Sequence, residues 1–136
     1  MLHVITDTNV LISSVLERDR EERERTQKLV LRAETGELVI VLPQFVIFES
    51  IFVLSSVYEL LPNEIAILIR EVIALPGVTI VDDCPWQQFF EYWSDVRPDV
   101  VDAALLAMSI ANGYSLATFD RKLSNRARTF GVAPYW

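Results

Sequence analysis

The sequence predicts an α/β fold, a three-layer α/β/α sandwich built on a mostly parallel sheet of four to five strands. Short apolar runs alternate along the chain with longer segments whose apolar residues recur at helical spacing. Gly, Pro, Asn or Asp marks most changes of pattern. Strands that alternate with helices pair in parallel, because each helix returns the chain to the same end of the sheet. A chain of 136 residues without a linker or internal repeat fits one domain over 1–136.

The strands are predicted from short apolar runs bounded by turn residues. Four are expected, at 2–6, 38–42, 78–81 and 115–118. The pattern leaves room for a fifth strand that begins at Val132. The third strand can lie at an edge of the sheet, away from the crevice where such sheets bind ligands.

Apolar residues at spacings of three and four predict seven helices. Proline fits the first turn of a helix, and four helices are expected to begin at Pro43, Pro62, Pro85 and Pro98. The other three are expected at 9–16, before Gly36 and at 121–130. The helix after Pro43 is rich in aromatic and aliphatic residues and is expected to be largely buried.

The composition narrows the functional classes. A formal net charge of −7 argues against broad coating of nucleic acids, but it is compatible with a nuclease whose acids cluster at one site. Cys84 is the only cysteine, which excludes an intrachain disulfide and fits a reducing compartment. Pro43 and Glu49 interrupt the apolar stretch 38–57, so it is expected to form a strand and a helix rather than a membrane span. The expected protein is soluble and cytoplasmic.

Four acids occupy apolar surroundings. Asp7 and Asp120 come just after the first and fourth predicted strands, and Glu49 and Asp102 interrupt apolar helical segments. A carboxylate in such a setting costs free energy unless something pairs with it. Four such costs in one small chain indicate a shared partner, and a divalent metal ion is the obvious candidate.

Each acid also has a simpler interpretation. Asp7 and Asp120 suit helix N-caps. Asp99 lies one turn before Asp102, where it either joins the site or serves only the helix dipole. Glu49 and Asp102 are harder to place in solvent, because apolar residues share their helical faces.

The four acids together indicate a metal site more strongly than any one of them does alone. Two carboxylates about 4 Å apart repel by roughly 4 kcal/mol at an effective dielectric of 20. Without a cation, one of them would be protonated or the site would spread apart. Oxygen ligands suit Mg²⁺ or Mn²⁺, which also accept phosphate oxygens from a substrate. One such ion can supply hydroxide, and a second can stabilise a leaving oxygen.

Four motifs span nearly the whole chain: VITDTNVLI at 4–12, the segment 41–58 with Glu49 on its helix, DVVDAALLA at 99–107 and LATFDR at 116–121. In their residues and their order, they resemble the motifs of the PIN-domain nucleases. The resemblance implies a Mg²⁺- or Mn²⁺-dependent ribonuclease. Its acidic quartet would be Asp7, Glu49, Asp102 and Asp120, with Asn9 and Thr118 as polar support.

The resemblance also implies partners. Small PIN proteins are often VapC-type toxins that an antitoxin inhibits, and they commonly form homodimers. Backbone contacts to the RNA substrate are expected from a basic helix end, at Arg121, Lys122, Arg126 and Arg128. A solvated helix end explains these four residues equally well. The mixed-charge run 18–25 is either a solvated face or an antitoxin contact.

The sequence also bears on three other classes of protein. A haloacid-dehalogenase-type phosphohydrolase would need a second Asp at the position of Asn9. A receiver-like signalling domain would need an acidic pair after the first strand and a lysine that ends a late strand, but the only lysines are Lys28 and Lys122. A PIN nuclease that acts in RNA processing without an antitoxin remains the main alternative to a toxin.

Overall fold

The computed structural model describes residues 1–96 and 99–136, with the backbone alone described at 94–96. The predicted helix start at Pro98 therefore lies outside the described residues. The strands are β1 (Leu2–Thr6), β2 (Leu38–Pro43), β3 (Val78–Val81) and β4 (Ser115–Ala117). The helices are α1 (Thr8–Val15), α2 (Arg20–Glu34), α3 (Gln44–Ser56), α4 (Pro62–Ile73), α5 (Trp86–Val96), α6 (Val100–Asn112) and α7 (Arg121–Thr129). Within these ranges, no helix is both long enough and apolar enough to cross a membrane.

The four strands form one parallel sheet in the order β3-β2-β1-β4. This arrangement confirms the predicted α/β fold, with β3 at one edge. The strand predicted at Val132 is replaced by an isolated bridge between Leu116 and Pro134. Because the strands are parallel, their carboxyl ends lie at the same end of the sheet. Thr6, Pro43 and Ala117 are the last residues of β1, β2 and β4 at that end.

Successive side chains of each strand point to opposite faces of the sheet, so helices can pack on both faces and form the three layers. Val4 and Ile5 are both fully buried, but they point to opposite faces of β1. Val4 packs in a cluster with Leu29 and Ala33 of α2. Ile5 belongs to a larger cluster that includes residues of α3, α4, α6 and α7. The central strand is therefore covered on both sides, as its continuous apolar run predicted.

Helix α3 differs from its predicted burial. Val46, Ser50 and Leu54 are buried, but Phe48 and Phe52 are 68% and 70% exposed. The prediction of a largely buried helix was wrong, because apolar composition alone does not show which face of a helix the rest of the chain covers. Helix α3 thus presents an uncovered apolar face.

The turn before β3 approaches helix α2 closely. Gly77 has φ +80°, and a Cβ at this position would lie 2.5 Å from the Ala33 carbonyl oxygen. Its own carbonyl accepts a hydrogen bond of 2.8 Å from the Ile40 amide. Glycine is therefore required both for its backbone conformation and for the space it leaves.

The carboxyl-terminal segment 132–136 lies along the outer side of β4. The Leu116 amide donates to the Ala133 carbonyl at 2.9 Å, and the Tyr135 amide donates to the Leu116 carbonyl at 2.8 Å. The Tyr135 hydroxyl accepts a 2.8 Å hydrogen bond from Arg32 of α2. These bonds bring Trp136 to the end of the sheet where the candidate site lies.

Candidate functional site

Asp7 lies in the first turn beyond β1 and is only 6% exposed. Its Oδ1 accepts a 2.7 Å hydrogen bond from the Thr8 amide, and its Oδ2 accepts a 2.8 Å hydrogen bond from the Thr118 hydroxyl. The Asp7 amide donates to the Ala117 carbonyl at 3.0 Å. Asp7 is thus the N-cap of α1 and is held from both β1 and β4.

The electrostatic surroundings of Asp7 disfavour its charge. Burial raises the pKa of the Asp7 carboxyl, and nearby Glu49 and Asp120 raise this pKa further. The hydrogen bonds from Thr118 and Thr8 lower the pKa, but they do not offset burial. A buried acid whose charged neighbours are also acids would gain from a cation nearby.

Asp120 lies beyond β4 and caps α7. Its Oδ1 accepts hydrogen bonds from the Lys122 amide at 2.9 Å and from the Leu123 amide at 3.3 Å. Its own amide donates to the Thr118 hydroxyl oxygen at 3.1 Å. Thr118 therefore connects Asp120 to Asp7. The side chain of Asp120 is exposed, so it can still take a further ligand.

Asp102 lies in the first turn of α6, where its amide donates to Oδ1 of Asp99 at 3.1 Å. Asp99 is the N-cap of this helix, a role that the sequence analysis did not assign to it. Burial, together with nearby Asp99, Asp7 and Asp120, raises the pKa of Asp102 to about 7, although Arg126 lowers it. Asp102 thus lies within electrostatic reach of three other acids.

Glu49 is half-buried in the second turn of α3. Its effect on the pKa of Asp7 places it near that carboxyl. The structure therefore brings Asp7, Glu49, Asp102 and Asp120 to one end of the sheet. Asp99 belongs to the same group through Asp102.

The chemistry of these groups fits a hard divalent cation. All the donors are carboxylate oxygens, which Mg²⁺ and Mn²⁺ prefer. The Thr8 hydroxyl, beside Asp7, is buried and has no hydrogen-bond partner among the described residues. Within residues 1–96 and 99–136, no three His, Cys, Asp or Glu side chains already stand close enough to hold an ion. A cation at this site would therefore draw the carboxylates together against their mutual repulsion.

Asn9 has a partner that the sequence did not indicate. Its Oδ1 accepts a 3.2 Å hydrogen bond from Nη1 of Arg18, and Nη2 of Arg18 pairs with Glu22 at 2.7 Å. Guanidinium groups only donate hydrogen bonds, so this contact fixes which end of the Asn9 amide faces Arg18. Arg18 was missed because its position in a mixed-charge run resembles that of a solvated residue.

The predicted basic residues take different places around helix α7. Arg126 lowers the pKa of Asp102, and the backbone amide of Lys122 donates a hydrogen bond to Asp120. Arg121 and Arg128 line a groove of about 500 Å³ that also includes Thr118 and Asp120. Phe119 and Trp136 line the same groove but did not appear among the predicted site residues. No periodic pattern marks either aromatic residue, and only the path of the carboxyl-terminal segment brings Trp136 there.

Solved structures share this fold at low sequence identity. VapC20 from Mycobacterium tuberculosis, described as a toxin that cleaves the sarcin-ricin loop, is 14% identical, with 90% of this chain and 94% of that chain covered and a TM-score of 0.70. PAE2754 from Pyrobaculum aerophilum is 15% identical, with 92% and 84% covered and a TM-score of 0.66. VapBC2 from Rickettsia felis, solved with a DNA fragment from its promoter, is 12% identical, with 91% and 92% covered and a TM-score of 0.67.

Sequence comparison identifies the family. A comparison with curated proteins finds no significant match. The profile of the PIN domain, in contrast, matches residues 4–129, which include Asp7, Glu49, Asp102 and Asp120. The chain therefore belongs to the PIN-domain family.

Proposed function

We propose that this protein is a metal-dependent endoribonuclease that hydrolyses RNA phosphodiester bonds. The observation that carries the proposal is the concentration of acids at the carboxyl edge of the sheet. Asp7 is buried there with a raised pKa, and the groups that raise it beyond burial are Glu49 and Asp120. Membership of the PIN-domain family supports the same chemistry.

The acids have separate proposed roles. Asp7 and Asp102 would hold a Mg²⁺ or Mn²⁺ ion, with Asp120 as a third ligand or a support for the other two. The ion would supply charge neutralisation and a more acidic water. Glu49 would orient the attacking water and accept its proton. Thr118 keeps Asp7 in place by its 2.8 Å hydrogen bond.

Nuclease assays on acid variants test this proposal. Asp7→Asn and Asp102→Asn should each lower Mn²⁺-dependent RNA cleavage at least a hundredfold, because each removes a ligand charge while nearly preserving the side-chain shape. Asp83→Asn is the matched control. Asp83 is exposed and follows β3, the edge strand farthest from β4, which precedes Asp120. Unchanged cleavage in both site variants would refute the proposal.

We further propose that the protein is the toxin of a toxin–antitoxin pair. Two structural neighbours, VapC20 and VapBC2, carry VapC names, and the first is described as a toxin. Expression of the chain should arrest growth, and Asp7→Asn should remove the arrest. A short antitoxin-like reading frame beside the gene would support this role. Normal growth with an active nuclease would instead favour an RNA-processing enzyme without an antitoxin.

The uncovered face of helix α3 supports a protein partner. Phe48 and Phe52 are both more than two-thirds exposed, and large exposed apolar groups in proximity are unusual on a monomer. A homodimer would cover this face. Light scattering should give twice the chain mass for the wild type, and Phe48→Ser/Phe52→Ser should shift the mass toward that of one chain.

A further inference from the structure

The groove beside Asp120 extends from the candidate site along helix α7. Its volume is about 500 Å³, within the range of small-ligand sites in proteins. Thr118 and Asp120 lie at its junction with the acids, Arg121 and Arg128 line the α7 side, and Phe119 and Trp136 contribute aromatic rings. A molecule in this groove would therefore contact Asp120, one of the four site acids, and Thr118, which binds a second one, Asp7.

The two aromatic rings form a fixed stack. The centroids of Phe119 and Trp136 are 5.0 Å apart, and their planes differ by only 9°. The indole Nε1 of Trp136 donates a 2.9 Å hydrogen bond to the Thr118 carbonyl. Thr118 also binds Asp7, so the same residue positions both the stack and the acid. A planar ligand that extends the stack would require little reordering of these side chains.

Helix α7 presents two guanidinium groups to the groove, and these can bind an anion. Three acids of the opposite wall already have partners: Asp19 accepts from the Glu22 amide at 2.9 Å, Glu22 pairs with Arg18 at 2.7 Å, and Glu21 pairs with Arg25 at 2.9 Å. Arg121 and Arg128, in contrast, form no ion pair with any residue that the structure describes. Their guanidinium groups are available for a phosphate.

We propose that this groove binds the nucleotide next to the scissile phosphate of the RNA. The base of this nucleotide extends the Phe119–Trp136 stack. The phosphate on its other side, away from the scissile one, contacts Arg121 and Arg128. This inference rests on the proposed nuclease function. Stacking on aromatic side chains accepts any base, so the groove contributes affinity and register rather than strict sequence selection. Removal of one stacking ring should weaken single-stranded RNA binding about tenfold.

Tryptophan fluorescence tests the stack directly. The chain contains three tryptophans, so Trp86→Phe/Trp93→Phe leaves Trp136 as the only one. A single-stranded RNA tetranucleotide is titrated into this variant in EDTA, which prevents cleavage. An abasic strand of the same length, which has the sugar-phosphate backbone but no bases, serves as the comparison. The RNA should quench Trp136 emission with saturation, and the abasic strand should not.

Affinity measurements on side-chain variants complete the test. Fluorescence anisotropy with dye-labelled RNA should show about tenfold weaker binding for Trp136→Ala and no change for the matched control Trp86→Ala, whose ring is 61% exposed on α5. RNA binding that leaves Trp136 emission and the Trp136→Ala affinity unchanged would overturn the groove assignment and leave the nuclease proposal intact. Absence of both RNA binding and Mn²⁺-dependent cleavage would overturn the nuclease proposal and this inference together.

Discussion

The Thr118 hydroxyl donates a 2.8 Å hydrogen bond to Oδ2 of Asp7, which joins two residues 111 positions apart in the chain. The same oxygen accepts a 3.1 Å hydrogen bond from the Asp120 amide. One hydroxyl group therefore connects two acids that follow neighbouring strands. It also lowers the pKa of Asp7, against the effect of burial.

Thr118→Val should weaken metal binding without removing any carboxylate. Valine has nearly the shape of threonine but donates no hydrogen bond, so the pKa of Asp7 should rise further. We expect a loss of about 1–2 kcal/mol in the free energy of unfolding, in line with a hydrogen bond to a charged group. Calorimetric titration should show a lower Mn²⁺ affinity. Thr79→Val on the exposed side of β3 is the control, and equal Mn²⁺ affinity in the two variants would contradict the role given to Thr118.

Asp102→Asn should stabilise the protein in the absence of divalent metal. The variant removes a partly buried carboxylate whose pKa is raised to about 7 by burial and by Asp99, Asp7 and Asp120. After allowance for solvent screening, we expect a gain of roughly 1 kcal/mol at pH 8. The melting temperature should rise by a few degrees in EDTA, but Mn²⁺ should no longer add to it. A lower melting temperature in EDTA would show that the Asp102 charge is not a cost.

The metal-free wild type should lose stability as the pH rises. The pKa of Asp102 is about 7 in the folded chain but near 3.8 when unfolded, so the folded state holds the extra proton between these values. The free energy of unfolding should therefore fall from about pH 4 to about pH 7 and then level off, as far as this group is concerned. The raised pKa of Asp7 acts in the same direction. Denaturant titrations in EDTA, compared between wild type and Asp102→Asn, should isolate this dependence.

Glu49→Gln should separate catalysis from metal binding. In the proposed roles, Glu49 accepts a proton from water and is not a metal ligand. The variant should lower the cleavage rate by about 10² to 10⁴, the usual range for loss of a general base. The Mn²⁺-induced rise in melting temperature should be nearly unchanged. A variant that loses this rise along with its activity would make Glu49 a ligand instead.

Gly77→Ala should destabilise the fold more than Gly36→Ala. Both glycines have φ near +80°, which costs an alanine roughly 1–2 kcal/mol. An added Cβ at Gly36 meets no atom within 4 Å, whereas at Gly77 it would lie 2.5 Å from the Ala33 carbonyl oxygen. We expect a further loss of about 1–3 kcal/mol at Gly77 from overpacking. Equal losses in urea titrations would mean that the turn before β3 can move away from α2 freely.

The sequence predicts the sheet well, for a physical reason. Its central strands are buried on both faces, and short β-branched runs such as 2–6 indicate that situation directly. The ends of the elements are less well predicted. The fourth strand stops at Ala117, because the Thr118 hydroxyl and the Asp120 amide form the turn that begins α7.

The candidate site also contains residues that the sequence predicts and residues that it does not. Residues whose chemistry is unusual for their surroundings, such as Asp7 and Asp102, can be selected from sequence because a charge in an apolar run is conspicuous. Arg18 and Trp136 could not be selected, since nothing local distinguishes them from solvated or core residues. Their places depend on long-range contacts, to Asn9 and to the Thr118 carbonyl respectively.

The segment 132–136 gives the sheet a protected border. It occupies the hydrogen-bonding groups of Leu116 on the outer side of β4 and is anchored to α2 through Arg32 and Tyr135. A free strand edge is a template on which other chains can add. Truncation before Val132 would expose this edge and remove Trp136 in the same step. Self-association of such a shortened chain would then be inseparable from its loss of the groove wall, so substitutions are the safer probe of this part of the molecule.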